Sequence, residues 1–272
     1  MNYKKLNVIY RISDKSNANK VKIADKWQCL QNAVKIFGAE NIFVIANDCE
    51  NETLNTLKNF NLRVLAINTG SNSGSFNYVM DKVIENYSAE DCIYLLEDDY
   101  FHLPKSREAI LEGLEIADYV TLYDHPDLYH YDGNGPNFFV HGDFPKSSIY
   151  ITKNTHWRSN ISTTMTFAAK NKTLLEDRAI WRKFSQGKIP MDFPAFILLT
   201  KQDNLEEIRY AVQKRGGVGI SNLMINIMLE NYITERRKRL LISAIPSLST
   251  HTEINFLAPL IDWKKLISEG SF

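Results

Sequence analysis

The stretch CIYLLEDDYF, residues 92–101, is a run of strand-forming apolar residues that ends on Glu97, Asp98 and Asp99. Three adjacent carboxylates at the rim of a core repel one another and lose hydration, which is costly unless a cation or a bound ligand compensates. Side chains alternate across an extended strand, so Glu97 and Asp99 are expected on one face and Asp98 on the other. Hard oxygen donors of this kind suit Mg2+ or Mn2+, usually shared with substrate phosphates. The purely structural use of the triplet is an acidic loop ahead of the helix expected from Pro104, where negative charge suits the helix dipole.

Three further stretches carry residue types fit for chemistry. TGSNSGSFNYVM, residues 69–80, brings Ser73, Gly74 and Ser75 to the start of a helix, where glycine permits close approach and free amides attract phosphate. It is neither a G-x-G-x-x-G nor a Walker loop, and an ordinary strand-to-helix turn accounts for it equally well. PMDFPAF places Asp192 at the opening of a helix, either as a reactive acid or as a residue favoured there by the dipole. IPSLSTHTE sets His251 beside Glu253, as a metal ligand or as a surface His bonded to that acid. His125, His141, and the His156-Trp157-Arg158 run are further candidates for contact with a ligand, with Trp157 either stacking on a ligand ring or packing at the core edge.

The elements that must position these residues alternate between periods two and 3.6. LNVIYRI (6–12), NIFVIAND (41–48) and LRVLAIN (62–68) read as strands, separated by helices over 20–38 and 51–60. A helix is expected over 76–86, then the acidic strand, a helix over 104–117 and a strand over 119–127. Residues 133–160 suit an antiparallel hairpin with long loops, 162–169 a strand, 171–187 a helix, and a further helix follows Pro190. Strands alternating with helices predict a parallel sheet, and ligands bind at the carboxyl ends of such strands. Ser13 and Asp14, Asn47 and Asp48, residues 69–75 and the triplet would then form one polar cleft.

A chain of 272 residues with 44% hydrophobic content can bury a full core. Its 32 basic and 32 acidic residues leave no overall field for nucleic acid. No export leader and no span of about 18 uncharged apolar residues is apparent, so a cytoplasmic protein is expected. Cys29, Cys49 and Cys92 suit reduced thiols, and the N-x-S/T matches at Asn51, Asn86, Asn160 and Asn171 then carry no meaning. The basic run ERRKR (235–239) suits either a solvated helix face or contact with acidic lipid at the inner face of a membrane.

The succession strand, helix, strand, helix, Gly/Asn/Ser turn and strand ending in E-x-D, over residues 6 to about 200, resembles the GT-A type nucleotide-sugar glycosyltransferases, in particular the family 2-like enzymes. The resemblance implies an α/β fold, a GT-A (nucleotide-diphospho-sugar transferase, Rossmann-like) mixed sheet flanked by helices. It implies one domain over 1–272: a nucleotide-sugar-binding half (1–118), an acceptor and catalytic half (119–200), and a helical C-terminal extension with a metal and diphosphate loop (201–272). Carried over, Asp99 is the metal ligand with His251 from the C-terminal loop. Arg11, Asp14, Asp48, Ser73, Gly74, Ser75, Glu97 and Asp98 bind the nucleotide-sugar, with Asp48 on the base. Asp192 matches the general base, although Met191 replaces the acid that usually precedes it, and Glu176 or Asp177 are substitutes. The implied reaction moves a sugar from a nucleoside-diphosphate donor such as a UDP-sugar to a glycan or lipid-linked acceptor, inverting, with Mn2+ or Mg2+, as in polysaccharide biosynthesis. The alternatives are a sugar-phosphate nucleotidyltransferase, whose Gly-rich signature RISDKSNANK lacks, and a non-catalytic sugar-nucleotide-binding module.

Overall fold

The computed structural model of the protein describes residues 5–15, 21–129, 147–202 and 222–270. Strands β1 (Leu6–Ser13), β2 (Ile42–Asn47), β3 (Arg63–Ile67) and β4 (Cys92–Glu97) lie parallel, and β1 is flanked by β2 and β4. Helices α1 (Lys26–Phe37), α2 (Asn51–Lys58) and α3 (Asn72–Tyr78) make the crossovers. Helix α1 opens on a capping box between Asp25 and Gln28 and stops at Gly38, whose φ of 83° is a conformation that suits glycine.

The same sheet continues into the second half of the chain. Short strands β5 (Tyr100–His102) and β6 (Tyr119–Thr121) bracket α4 (Ser106–Gly113), and β7 (Ile149–Ile151) and β8 (His156–Asn160) form the expected antiparallel hairpin. With β9 (Phe167–Lys170) and β10 (Leu241–Ile245), the order among the described residues is β3-β2-β1-β4-β9-β6-β10-β8-β7, while β11 (Ser249–His251) pairs with β5 in a separate two-stranded sheet. Strand β9 runs antiparallel to β4 and β6, so the sheet is mixed. The expected α/β architecture, a mixed sheet flanked by helices, is the one observed.

Several expectations need correction, the first being the strand expected over 119–127, which is confined to Tyr119–Thr121 and is followed by a 3-10 turn at Pro126–Leu128. The helix expected from Phe76 begins at Asn72, because the Ser71 hydroxyl accepts the Gly74 N–H as an N-cap, and it continues as a π turn over Val79–Val83. The helix expected over 171–187 is two, α5 (Asn171–Glu176) and α6 (Arg178–Phe184), broken at Asp177. The strand expected over 162–169 is ordered only from Phe167. Residues 201–272 are not simply helical: besides α8 (Asn222–Ile233) and α9 (Trp263–Glu269) they insert β10 between β6 and β8.

Period-two alternation divides the core between the two faces of the sheet. Leu6, Val8, Tyr10 and Ile12 of β1 pack with Cys29, Leu30, Ala33 and Phe37 of α1. Ile9 faces the other way, with Phe76 of α3, Val79 and Met80 after it, and Phe196 of α7 (Asp192–Leu199). Arg11 shares the parity of Ile9, which carries its guanidinium under α3 rather than to solvent.

Candidate active site

A cavity of about 490 Å3 lies at the carboxyl ends of β1, β2 and β4. Its walls include Arg11, Asp48, Glu97, Asp98, Asp99, Asp192 and His251. The volume suits a small-molecule ligand, and the position is the one that the topology of a parallel sheet favours.

The carboxylates of the triplet diverge. Strand β4 ends at Glu97, and Asp98 and Asp99 form a turn, so the period-two rule that would align Glu97 with Asp99 lapses after Glu97. Arg11 stands opposite Glu97 in the β1/β4 register, and its Nη2 donates to Glu97 Oε1 at 3.1 Å. The same oxygen accepts from Asn72 Nδ2 at 3.1 Å, and Arg11 Nη1 donates to Asn72 Oδ1 at 2.5 Å. Arg11 is 5% exposed. It anchors Glu97 within the wall. Asp98 turns back to accept the Ser13 N–H at 3.1 Å, and burial, reinforced by the adjacent Asp99, raises its carboxyl to about 7.

Asp99 faces the loop that follows β10. His251 Nε2 lies 3.1 Å and Lys22 Nζ 3.4 Å from Asp99 Oδ2. His251 Nδ1 accepts the Glu253 N–H at 3.1 Å, so the bonding pattern puts the neutral ring's proton on Nε2, facing Asp99. An oxygen and a nitrogen bound in adjacent octahedral positions at about 2.1 Å from one ion are separated by about 3 Å. The Asp99–His251 spacing fits that pair. Among the described residues no group of three or more His, Cys, Asp or Glu side chains converges as a metal site. The chain would therefore offer two ligands and leave the rest to substrate oxygens and water, as is common for Mg2+.

Asp192 opens α7 and also lines the cavity. The segment leading to it is tied down by Ser73 N–H to Lys188 O at 3.1 Å and by Met191 N–H to Phe184 O at 2.8 Å. The hydrogen bonds of its carboxylate come from the backbone of its own turn, the Phe193 N–H at 2.7 Å among them. Burial, with the negative charge of Glu97 adding to it, raises this carboxyl to about 6. A carboxylate so placed accepts a proton more readily than an ordinary aspartate.

The other expected nucleotide-binding residues separate into those that line the cavity and those used up in the scaffold. Asp48 sits in the left-handed region (φ 52°), which aspartate tolerates. Its Oδ2 accepts from Gly70 N–H at 2.8 Å and Asn47 Nδ2 at 3.0 Å, while Oδ1 is buried with no hydrogen-bond donor and lies 3.5 Å from Lys15 Nζ. Asp14 is outside the cavity lining. Its Oδ1 accepts from Lys26 Nζ and from Thr53 Oγ1 at 2.8 Å, and its Oδ2 from Glu50 N–H at 2.7 Å; these bonds outweigh burial and hold its carboxyl below the usual range. The amides of Ser73 and Gly74 are spent on Lys188 O and Ser71 Oγ, that of Ser75 on Ser71 O, and Ser75 Oγ bonds Asn72 O at 3.0 Å. The expected phosphate cradle of Ser73, Gly74 and Ser75 is thus internally satisfied; Ser75 alone of the three reaches the cavity wall.

Glu176 and Asp177 lie away from the cavity. Arg239, 5% exposed, donates to Asp177 at 2.9 Å and to Glu176 at 2.6 Å, and Tyr119 Oη donates to Asp177 at 2.7 Å. They pin the edge of β10. The basic run is similarly occupied: Arg236 pairs with Glu230, Arg237 with Asp118, and Arg239 with the acids just named. No helix of the described residues is long and apolar enough to cross a membrane. Trp157 is fully buried and its Nε1 donates to Thr152, so it packs the core rather than a sugar. Arg158 bonds the buried Asp124, His125 pairs with Asp127, and His141 lies outside the described residues. Lys22, Asn72 and Lys188 are cavity residues that sequence reasoning did not single out. Each is a polar residue in a polar stretch, with no local pattern to mark it.

Among solved structures, residues 1–349 of TarS from S. aureus are similar over 84% of this chain and 70% of theirs, at 15% identity and a TM-score of 0.45. The galactosyltransferase LgtC, in complex with donor and acceptor sugar analogues, is similar over 98% of this chain and 96% of its own, at 9% identity and a TM-score of 0.44. CMP:2-keto-3-deoxy-manno-octonic acid synthetase complexed with CTP is similar over 79% and 87%, at 11% and 0.39. These are distant likenesses of overall α/β architecture. No family model and no curated protein matches the sequence.

Proposed function

We propose that the chain is a glycosyltransferase that moves a sugar from a nucleoside diphosphate, for which a UDP-sugar is the first donor to test, to a hydroxyl of a glycan or lipid-linked acceptor with inversion. The observation that carries this reading is one cavity lined both by the Asp99–His251 pair and by the half-buried Asp192. The acceptor oxygen attacks the anomeric carbon, the bond from that carbon to the diphosphate oxygen breaks with its electron pair on the diphosphate, and the acceptor proton passes to Asp192. Asp99 and His251 would hold Mn2+ or Mg2+, which when bound supplies positive charge toward the departing diphosphate. Asp48 Oδ1, buried and paired with Lys15 only at 3.5 Å, would accept an N–H of the base. Glu97 and Asp98 shape the wall between them.

The test is a panel of UDP-, GDP- and CMP-sugars with Mn2+ and simple glycoside acceptors, reading nucleotide release and the anomeric configuration of the product by NMR. Transfer with inversion is expected. Consumption of a sugar phosphate and a nucleoside triphosphate with pyrophosphate release, and no transfer from any donor, would move the chain to nucleotidyl transfer. Nucleotide binding without turnover of either kind would leave a binding module.

A further inference from the structure

Lys22 stands where the ion is proposed to go. Its side chain is 19% exposed, and its ammonium lies 3.4 Å from the Asp99 oxygen that also faces His251. The backbone holds it there: Lys22 and Glu253 form an antiparallel bridge, Ile23 N–H donates to Thr252 O at 2.8 Å, and Ile254 N–H to Val21 O at 3.0 Å. Thr252 N–H in turn donates to Asp99 O at 2.8 Å. The lysine, the histidine loop and the carboxylate are thus stapled together by main-chain bonds, and the lysine head lines the cavity.

We propose that Lys22 is an exchange cation. Without the ion it neutralises Asp99; when a divalent ion occupies the Asp99–His251 pair, its ammonium is displaced into the cavity and pairs with the anionic diphosphate. This rests on the reading above that Asp99 takes the ion and the cavity a nucleoside diphosphate. The physical basis is that a divalent cation and an ammonium cannot share one carboxylate oxygen without strong repulsion. The stapled backbone keeps the displaced head within the same cavity rather than in bulk solvent. A lysine is suited to the role, being a compact charge on a flexible stem. Two opposite signs follow. Removing the ammonium takes away a competitor of the ion and also a partner of the diphosphate.

The experiment compares the wild type, Lys22→Met and Lys22→Arg in two titrations: Mn2+ alone, followed by electron paramagnetic resonance, and UDP at saturating Mn2+, followed by calorimetry. Lys22→Met is expected to bind Mn2+ roughly three- to fivefold more tightly and UDP more weakly by a similar factor, the size a partly exposed ion pair carries. Lys22→Arg, which keeps the charge, stays near wild type in both. Thermal melts check that the Met variant is folded, and the Arg variant separates charge from structure. Unchanged Mn2+ affinity in Lys22→Met, or both affinities moving in one direction, overturns the exchange while leaving the ion reading standing, provided that Asp99→Asn abolishes Mn2+ binding. Mn2+ binding that is indifferent to Asp99→Asn removes the ion reading and the exchange together.

Discussion

Ion-paired acids and desolvated acids stand side by side around the cavity. On the wall built by β1, β2 and β4, Glu97 is paired by Arg11 and Asn72, Asp99 by Lys22 and His251, and Asp48 by Gly70 N–H and Lys15, while Asp98, held by one backbone N–H, is raised by burial. At the first turn of α7, Asp192 has hydrogen bonds from the backbone of its own turn and no ion pair among the described residues, so burial dominates and raises it to about 6. A third arrangement, Asp177 with Arg239, lies outside the cavity lining, and there too burial outweighs the ion pair and raises the carboxyl. What separates a candidate base from a structural acid here is the company it keeps. Partners hold an acid as a fixed charge only where they outweigh burial, as for Asp14, whereas desolvation makes Asp98 and Asp192 the more basic acids of the cavity lining.

The largest expected effect tests that contrast directly. Asp192→Asn keeps the shape and removes the base, so kcat should fall about 10²- to 10⁴-fold while UDP affinity stays near wild type. Wild-type turnover in this variant would erase the distinction between the ion-paired and the desolvated acids. Asp177→Asn is the opposite experiment. It leaves the buried Arg239 short of charge, which costs stability, about 3 kcal/mol, with rate per folded molecule unchanged. Denaturant melts with single-turnover assays separate the two, and a lost rate with intact stability would bring Asp177 back as a base.

Next in size is Asp99→Asn, expected to weaken Mn2+-supported UDP binding by about tenfold or more, with little change in thermal midpoint because a repulsive cluster is relieved as an ion pair is lost. Calorimetry with and without Mn2+ checks it, and equal affinities in the two proteins would refute Asp99 as the ion's ligand.

The pH dependence gives a smaller effect with a definite sign. Asp192 accepts a proton only when ionised, so kcat should rise with pH through about 6 and then level. Its folded value lies above the ordinary 3.8, so the native state holds the proton more tightly than the unfolded chain. The associated stability is present below about pH 4 and is lost as pH rises through about 6. Asp192→Asn lacks this loss, so its thermal midpoint should gain on that of the wild type between pH 4 and pH 8. Parallel midpoint curves for the two proteins would show that Asp192 is not the raised group.

Much of the wall built by β1, β2 and β4 was legible from local pattern. Period two in β1 and β4 places Arg11 and Glu97 at matching strand ends, and the strand order puts them in register. The helix start at Asp192 also follows from its own neighbours, Pro190 and Pro194. At residues 73–75 the ordinary strand-to-helix turn is the alternative that the hydrogen bonds favour, because Ser71 caps the helix and, with Lys188 O, consumes amides that the sequence leaves free. Glu176 and Asp177 resembled substitutes for the base because their partner, Arg239, is remote in sequence.

By itself the sequence determined the alternation of elements, the carboxylates at the end of β4 and an acid at the first turn of α7, because each depends on residues within a turn or two of chain. Only the tertiary structure decided where those carboxylates point. Alternation lapses once the backbone leaves the extended conformation at Asp98. From there the direction of each side chain is set by partners from distant segments, as with Lys22 and His251 on Asp99. Their nearness depends on the pairing of the 21–23 and 252–254 segments, which strand and helix periodicity cannot encode.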